Sequence, residues 1–146
     1  MRYLEDLALH EAIACGSFRL SREEIVAFAS RYDPQPFHLD EQAAQASYFQ
    51  GLCASGVQSQ AEAIGLTVRA IADVAVVAGG SLDGARFLIP VRPDRRYDVA
   101  ARWIEARPSV RNPGRGVAVI RGTAHEEGGG LAMEFGVTMI VARRPG

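Results

Sequence analysis

Cysteine is scarce. Cys15 and Cys53 are the only two in 146 residues, too few for a disulfide framework and without the clustered spacing of a zinc site. Both read as buried thiols of a reducing compartment. Long apolar runs are also missing, none reaching the roughly 18 residues that a membrane-spanning helix needs. The opening residues Met1-Arg2-Tyr3-Leu4-Glu5-Asp6 carry acids early and lack the apolar region of a secretion signal. Neither charge sign dominates, with 16 basic residues against 17 acidic ones and a formal charge of -1. A broad electrostatic surface for nucleic acid is therefore not predicted. Internal repeats and low-complexity tracts are absent. The expectation is a cytoplasmic protein with neither a nucleic-acid nor a membrane partner.

What is present suits one domain over residues 1–146: the chain is 48% hydrophobic and long enough for a sizeable core, but short for two domains. Ile13 to Leu20 is compatible with a first strand. Ser21 and Glu24 have capping-box spacing ahead of Ile25, Val26 and Phe28, which predicts a helix to about Ser30. Asp40 can cap a short helix over residues 41–46. From Val57, the apolar positions Val57, Ala61, Ile64, Val68 and Ile71 recur at helical spacing and predict the longest helix, with that stripe as its buried face. Residues 75–78 read as a short strand or the exit from that helix, residues 79–84 as a loop, and residues 85–89 as a strand ending at Pro90. Tyr97, Val99, Ala101 and Trp103 alternate, as do Leu131, Met133, Phe135, Val137, Met139 and Val141. Val117 and Val119 lead a strand between them. Helices early and antiparallel strands late make an α+β domain, in which a curved sheet could enclose the long helix.

The segment Tyr32-Asp33-Pro34-Gln35-Pro36-Phe37-His38-Leu39-Asp40 is the sharpest pointer to chemistry. Each proline restricts its own φ and pushes the preceding residue toward extended geometry, so Asp33 and Gln35 should not be helical. A bent loop can then aim Asp33 and His38 at one small molecule, a pairing suited to proton transfer near neutral pH. The competing reading is a turn in which Asp33 caps local N–H groups and His38 packs beside Phe37. Gly56 opens the long helix, where unpaired N–H groups can polarise a carbonyl oxygen. Alternatively, Ser55 simply caps that helix and Gly56 relieves crowding. Arg92, Arg95 and Arg96 could steer phosphates or serve structure. His10 and His125 have no comparable neighbours.

The run Asp33-Pro34-Gln35-Pro36-Phe37-His38-Leu39-Asp40, followed by Gly51-Leu52-Cys53-Ala54-Ser55-Gly56 and by Arg86-Phe87-Leu88-Ile89-Pro90-Val91-Arg92-Pro93, resembles the MaoC-like acyl-CoA dehydratase and (R)-specific enoyl-CoA hydratase family. The resemblance spans most of the chain. It implies a hot dog fold, a homodimer, and an acyl-thioester tunnel near the partner interface. It also implies that Asp33 and His38 are the catalytic pair, that the Gly56 N–H contacts the thioester oxygen, and that Gln35, Phe37 and Ser55 contact substrate. Several positions depart from the pattern: Gln35 stands where many hydratases have asparagine, Ser55 where histidine is frequent, Ile64 where a serine is found, and Asp94-Arg95 where a glycine-aspartate turn is common.

The implied activity is reversible hydration of a 2-enoyl-CoA to its 3-hydroxyacyl thioester, with no retained cofactor and no metal. The acyl-CoA is a substrate. Thioester hydrolysis on the same scaffold and acyl-thioester binding without turnover are the competing accounts. Release of free thiol distinguishes the first, and indifference to loss of Asp33 or His38 the second.

Overall fold

The computed structural model describes residues 1–146. Five strands, β1 (Ile13–Arg19), β2 (Val76–Phe87), β3 (Arg96–Pro108), β4 (Arg115–Glu126) and β5 (Leu131–Ala142), form one antiparallel sheet in the order β1-β3-β4-β5-β2. Four helices precede β2: α1 (Arg22–Tyr32), α2 (Pro36–Leu39), α3 (Glu41–Gln45) and α4 (Gly56–Ala70). No helix is long and apolar enough to cross a membrane.

The core lies between one face of the sheet and α4, which packs on β1, β3 and β4. Tyr97, Val99, Ala101 and Trp103 from β3 and Met133, Phe135, Val137, Met139 and Val141 from β5 are buried there, as their alternation predicts. Gly122 of β4 pairs with Phe135 of β5, and a Cβ on Gly122 would stand 2.2 Å from the Phe135 ring. The ring therefore occupies the space that a side chain at residue 122 would fill. The predicted Ser21 capping box is formed, with Ser21 Oγ accepting from the Glu24 N–H and the Glu24 carboxylate accepting from the Ser21 N–H.

Two readings need correction. The buried face of α4 is Gln58, Ser59, Ala63 and Thr67, whereas Val57 and Val68 of the predicted stripe are exposed. Ile64 still packs against the core and Ile71, just past the helix, is buried. The small side chains let helix and sheet approach closely. The Ser59 and Thr67 hydroxyls need no water because Ser59 Oγ donates to the Ser55 carbonyl and Thr67 Oγ1 to the Ala63 carbonyl. Residues 79–84 are not a loop but the middle of β2, held against β5 with register shifts that absorb the glycines. On β4, Ala118, Ile120 and Ala124 face the core, and Val117 and Val119 are half-buried on the other face.

Candidate active site

Two local rules place the first two side chains. Pro34 ends α1, leaving Asp33 as its last cap with an extended φ of -156° and its N–H bonded to the Ala29 carbonyl. Pro36 then takes the first position of α2, where a missing N–H costs nothing. The predicted irregular loop thus contains one helical turn, and that turn carries His38 inward while Gln35 remains exposed.

Beside this turn runs an extended segment ending at the start of α4. The Cys53 N–H bonds to the Phe37 carbonyl and the Ala54 N–H to the Val91 carbonyl, so residues 53–54 are stitched between α2 and the chain after β2. Arg92 fixes the preceding turn from beneath by donating to the carbonyls of Phe49, Gly51 and Leu52. Arg95 and Arg96 pair with Glu126 and Asp98. Phosphate steering by these arginines finds no support in that arrangement.

The stitching brings Asp33 and His38 together. His38 Nδ1 lies 2.6 Å from the Cys53 carbonyl oxygen. Because a carbonyl can only accept, Nδ1 carries a proton and the remaining nitrogen, Nε2, faces the carboxylate. Nε2 stands 3.4 Å from Asp33 Oδ2, longer than a direct hydrogen bond but near enough for both groups to reach one water. Phe37 packs edge-on against the imidazole, with ring centroids 4.6 Å apart. Ser55 is fully buried and donates from Oγ to Asp33 Oδ2 at 2.7 Å, while accepting from the Val57 N–H at the head of α4. The Gly56 N–H finds no acceptor within the chain.

Asp33, His38, Phe37 and Gly56 all line one cavity of about 450 Å³, within the range of small-molecule sites. Its other walls are mostly apolar and include Phe87, Ile89 and Val91. Of the expected site residues, Ser55 lies behind the carboxylate and Gln35 lies outside the lining. Tyr32 packs on Phe28 and stands outside the lining. Cys53 also lines the cavity, and burial pushes its thiol pKa up. The thiol therefore stays protonated at neutral pH and is a poor nucleophile. Phe87 was missed as a wall. Its ring lies against Gly56, where a Cβ would come within 2.7 Å of Phe87 Cζ.

A family model described as "MaoC like domain" matches residues 11–122. The chain belongs to the MaoC-like family. The solved MaoC-like dehydratase from Rhodospirillum rubrum is 31% identical, with 99% of each chain covered and a TM-score of 0.89. An (R)-hydratase from A. caviae shares the fold at 19% identity, with 97% of this chain and 99% of that chain covered and a TM-score of 0.73. A Mycobacterium tuberculosis protein described as having a double hotdog fold matches at 20% identity and a TM-score of 0.71, covering 99% of this chain and 45% of that one. The antiparallel sheet packed on α4 is thus the hot dog fold, and the MaoC-like family is one of hydratases and dehydratases. Ile64 packs against the core.

Proposed function

We propose that this MaoC-like protein catalyses reversible hydration of 2-enoyl-CoA thioesters to 3-hydroxyacyl-CoA. The observation that carries the reading is the Asp33–His38 pair, 3.4 Å apart across Nε2 and Oδ2, in a largely apolar cavity that also contains the first residue of α4. A water held by the pair loses a proton as its oxygen bonds to C3. The C2–C3 π electrons move toward the thioester carbonyl, and C2 takes up a proton from the pair. Both proton transfers are assigned to Asp33 and His38 jointly. No atom changes hands except those of water, and the thioester bond persists.

The Gly56 N–H is proposed to hydrogen-bond the thioester oxygen, an interaction that accelerates the step because it strengthens as enolate charge develops. Phe37 would shield the imidazole and contact the acyl chain. Gln35, exposed on this chain, could meet substrate only at the cavity mouth.

A homodimer is part of the proposal. β2 has only β5 as a neighbour, so its other edge is unpaired, and long unpaired edges are normally covered. Leu82 pairs with the buried Val137 yet is 65% exposed. A second copy against β2 would cover it and extend the wall of the cavity near Phe87.

The test is a panel of 2-enoyl-CoA compounds followed by both alkene absorbance and free thiol. Alkene loss without thiol release, strongly reduced in Asp33→Asn and His38→Ala, is expected. Thiol release would assign thioester hydrolysis instead, and saturable binding without consumption would assign a binding protein.

A further inference from the structure

We infer that Ser55 is a positioning residue for Asp33, orienting and holding its carboxylate through the hydroxyl rather than contacting substrate. The proposed hydratase reaction supplies its catalytic consequence, and the inference rests on that reading only there.

Four observations converge. Ser55 is 0% exposed and is absent from the cavity lining, so its hydroxyl has no direct path to a ligand. Its Oγ donates to Asp33 Oδ2 at 2.7 Å, across 22 positions of sequence. The same Oγ accepts from the Val57 N–H at 3.2 Å, which uses an acceptor site and leaves the hydroxyl proton directed at the carboxylate. Asp33 Oδ2 is also the oxygen nearest His38 Nε2. The hydroxyl therefore fixes the carboxylate plane, turning Oδ2 toward the imidazole and leaving Oδ1 for other partners.

Two consequences follow. Without the hydroxyl, the carboxylate can rotate about its terminal bond, a soft torsion with broad wells. The hydroxyl also satisfies a lone pair of Oδ2, so its removal leaves that oxygen to find another donor. The other titratable groups lining the cavity are His38, Cys53 and Tyr48, and both test variants leave them in place.

The test compares the full-length chain with Ser55→Ala and Ser55→Gly. Glycine is tolerated at helix N-caps far better than alanine, so Ser55→Gly covers the case in which Ser55→Ala does not fold. The first readout needs no turnover: the chemical shift of the Asp33 carboxyl carbon by NMR at neutral pH. It is expected to move in each folded variant while the carboxyl carbons of the other aspartates stay in place, because only Asp33 loses a hydrogen bond from Ser55. An unchanged Asp33 shift overturns the inference.

The second readout is kinetic. On a 2-enoyl-CoA that the wild type consumes and Asp33→Asn does not, kcat is expected to fall about 10- to 100-fold. KM should stay within about threefold, because a group acting through Asp33 changes the transition state more than binding. Wild-type kcat overturns the inference while leaving the hydratase reading intact. Failure of the wild type on every enoyl-CoA sinks that reading, and the NMR shift of Asp33 still decides whether Ser55 acts on it.

Discussion

The Cys53 carbonyl oxygen holds His38 Nδ1 at 2.6 Å, which commits the imidazole to a single working nitrogen, Nε2. The contact depends on backbone rather than on the thiol of residue 53, since the acceptor is a main-chain oxygen fixed by the hydrogen bond from the Cys53 N–H to Phe37. Position 53 should thus tolerate a change of side chain more readily than a change of path.

Gly56 is expected to be sensitive for function more than for folding. A methyl group there would meet Phe87 Cζ at 2.7 Å, but Phe87 is more than half exposed and its ring can swing away. Gly56→Ala should therefore move Tm by less than about 4 °C, a shift corresponding to under 1 kcal/mol in a domain near this size. Activity should fall at least about tenfold as the ring is displaced within the cavity. Adding Phe87→Ala should recover part of that loss, measured as kcat/KM of the double variant against Gly56→Ala.

Gly122 presents the opposite case. The methyl group of Gly122→Ala would fall 2.2 Å from Phe135 Cζ inside the core, where Phe135 is essentially unexposed. Overpacking of this kind costs about 1–3 kcal/mol, and urea denaturation should show it as a lower midpoint. Combining it with Phe135→Leu, which vacates the ring's place, should cost less than the two single changes added together.

Alkaline pH should weaken the fold. Burial raises the pKa of Cys15, Cys53 and Tyr97 above their ordinary values. The folded chain holds these protons more tightly than the unfolded chain, so their stabilising contribution is complete below about pH 8.5, the ordinary thiol value. It is lost as pH rises through the folded pKa values. Thermal melts should be level from about pH 7 to 8 and decline above about pH 9. A melting temperature that stays level to pH 10 would contradict this assignment.

The proposed dimer predicts a solution mass of two chains. Leu82→Lys places a charge on an apolar residue of the unpaired edge strand, a substitution of the type that blocks edge pairing. Light scattering should then report a shift toward monomer, with the far-UV circular dichroism of the wild type retained. A wild type that is monomeric at micromolar concentration would remove the dimer from the account.

Local rules made much of this molecule legible. The Ser21–Glu24 box, the Asp40 cap and the alternation of β5 depend on residues a few positions apart, and all three take the expected form. The Asp33–His38 stretch stood out because two prolines restrict its backbone. The buried face of α4 was hidden because Ser59 and Thr67 count as polar in a sequence, whereas in the helix each closes its hydroxyl on a carbonyl four residues back. The glycine-rich centre of β2 was hidden because its strand form is imposed by pairing with β5, not by its own propensity. The bond from Ser55 to Asp33 spans 22 positions, and no local spacing announces it.

The most direct measurement is the fate of a 2-enoyl-CoA incubated with wild type, Asp33→Asn and His38→Ala, each first confirmed folded by its thermal melt. General acid–base groups contribute about 10²- to 10⁴-fold, so each substitution should slow alkene loss by at least that lower factor, with the thioester intact in the product. Undiminished hydration by either folded variant would contradict the assignment of Asp33 and His38 as the proton-transfer pair.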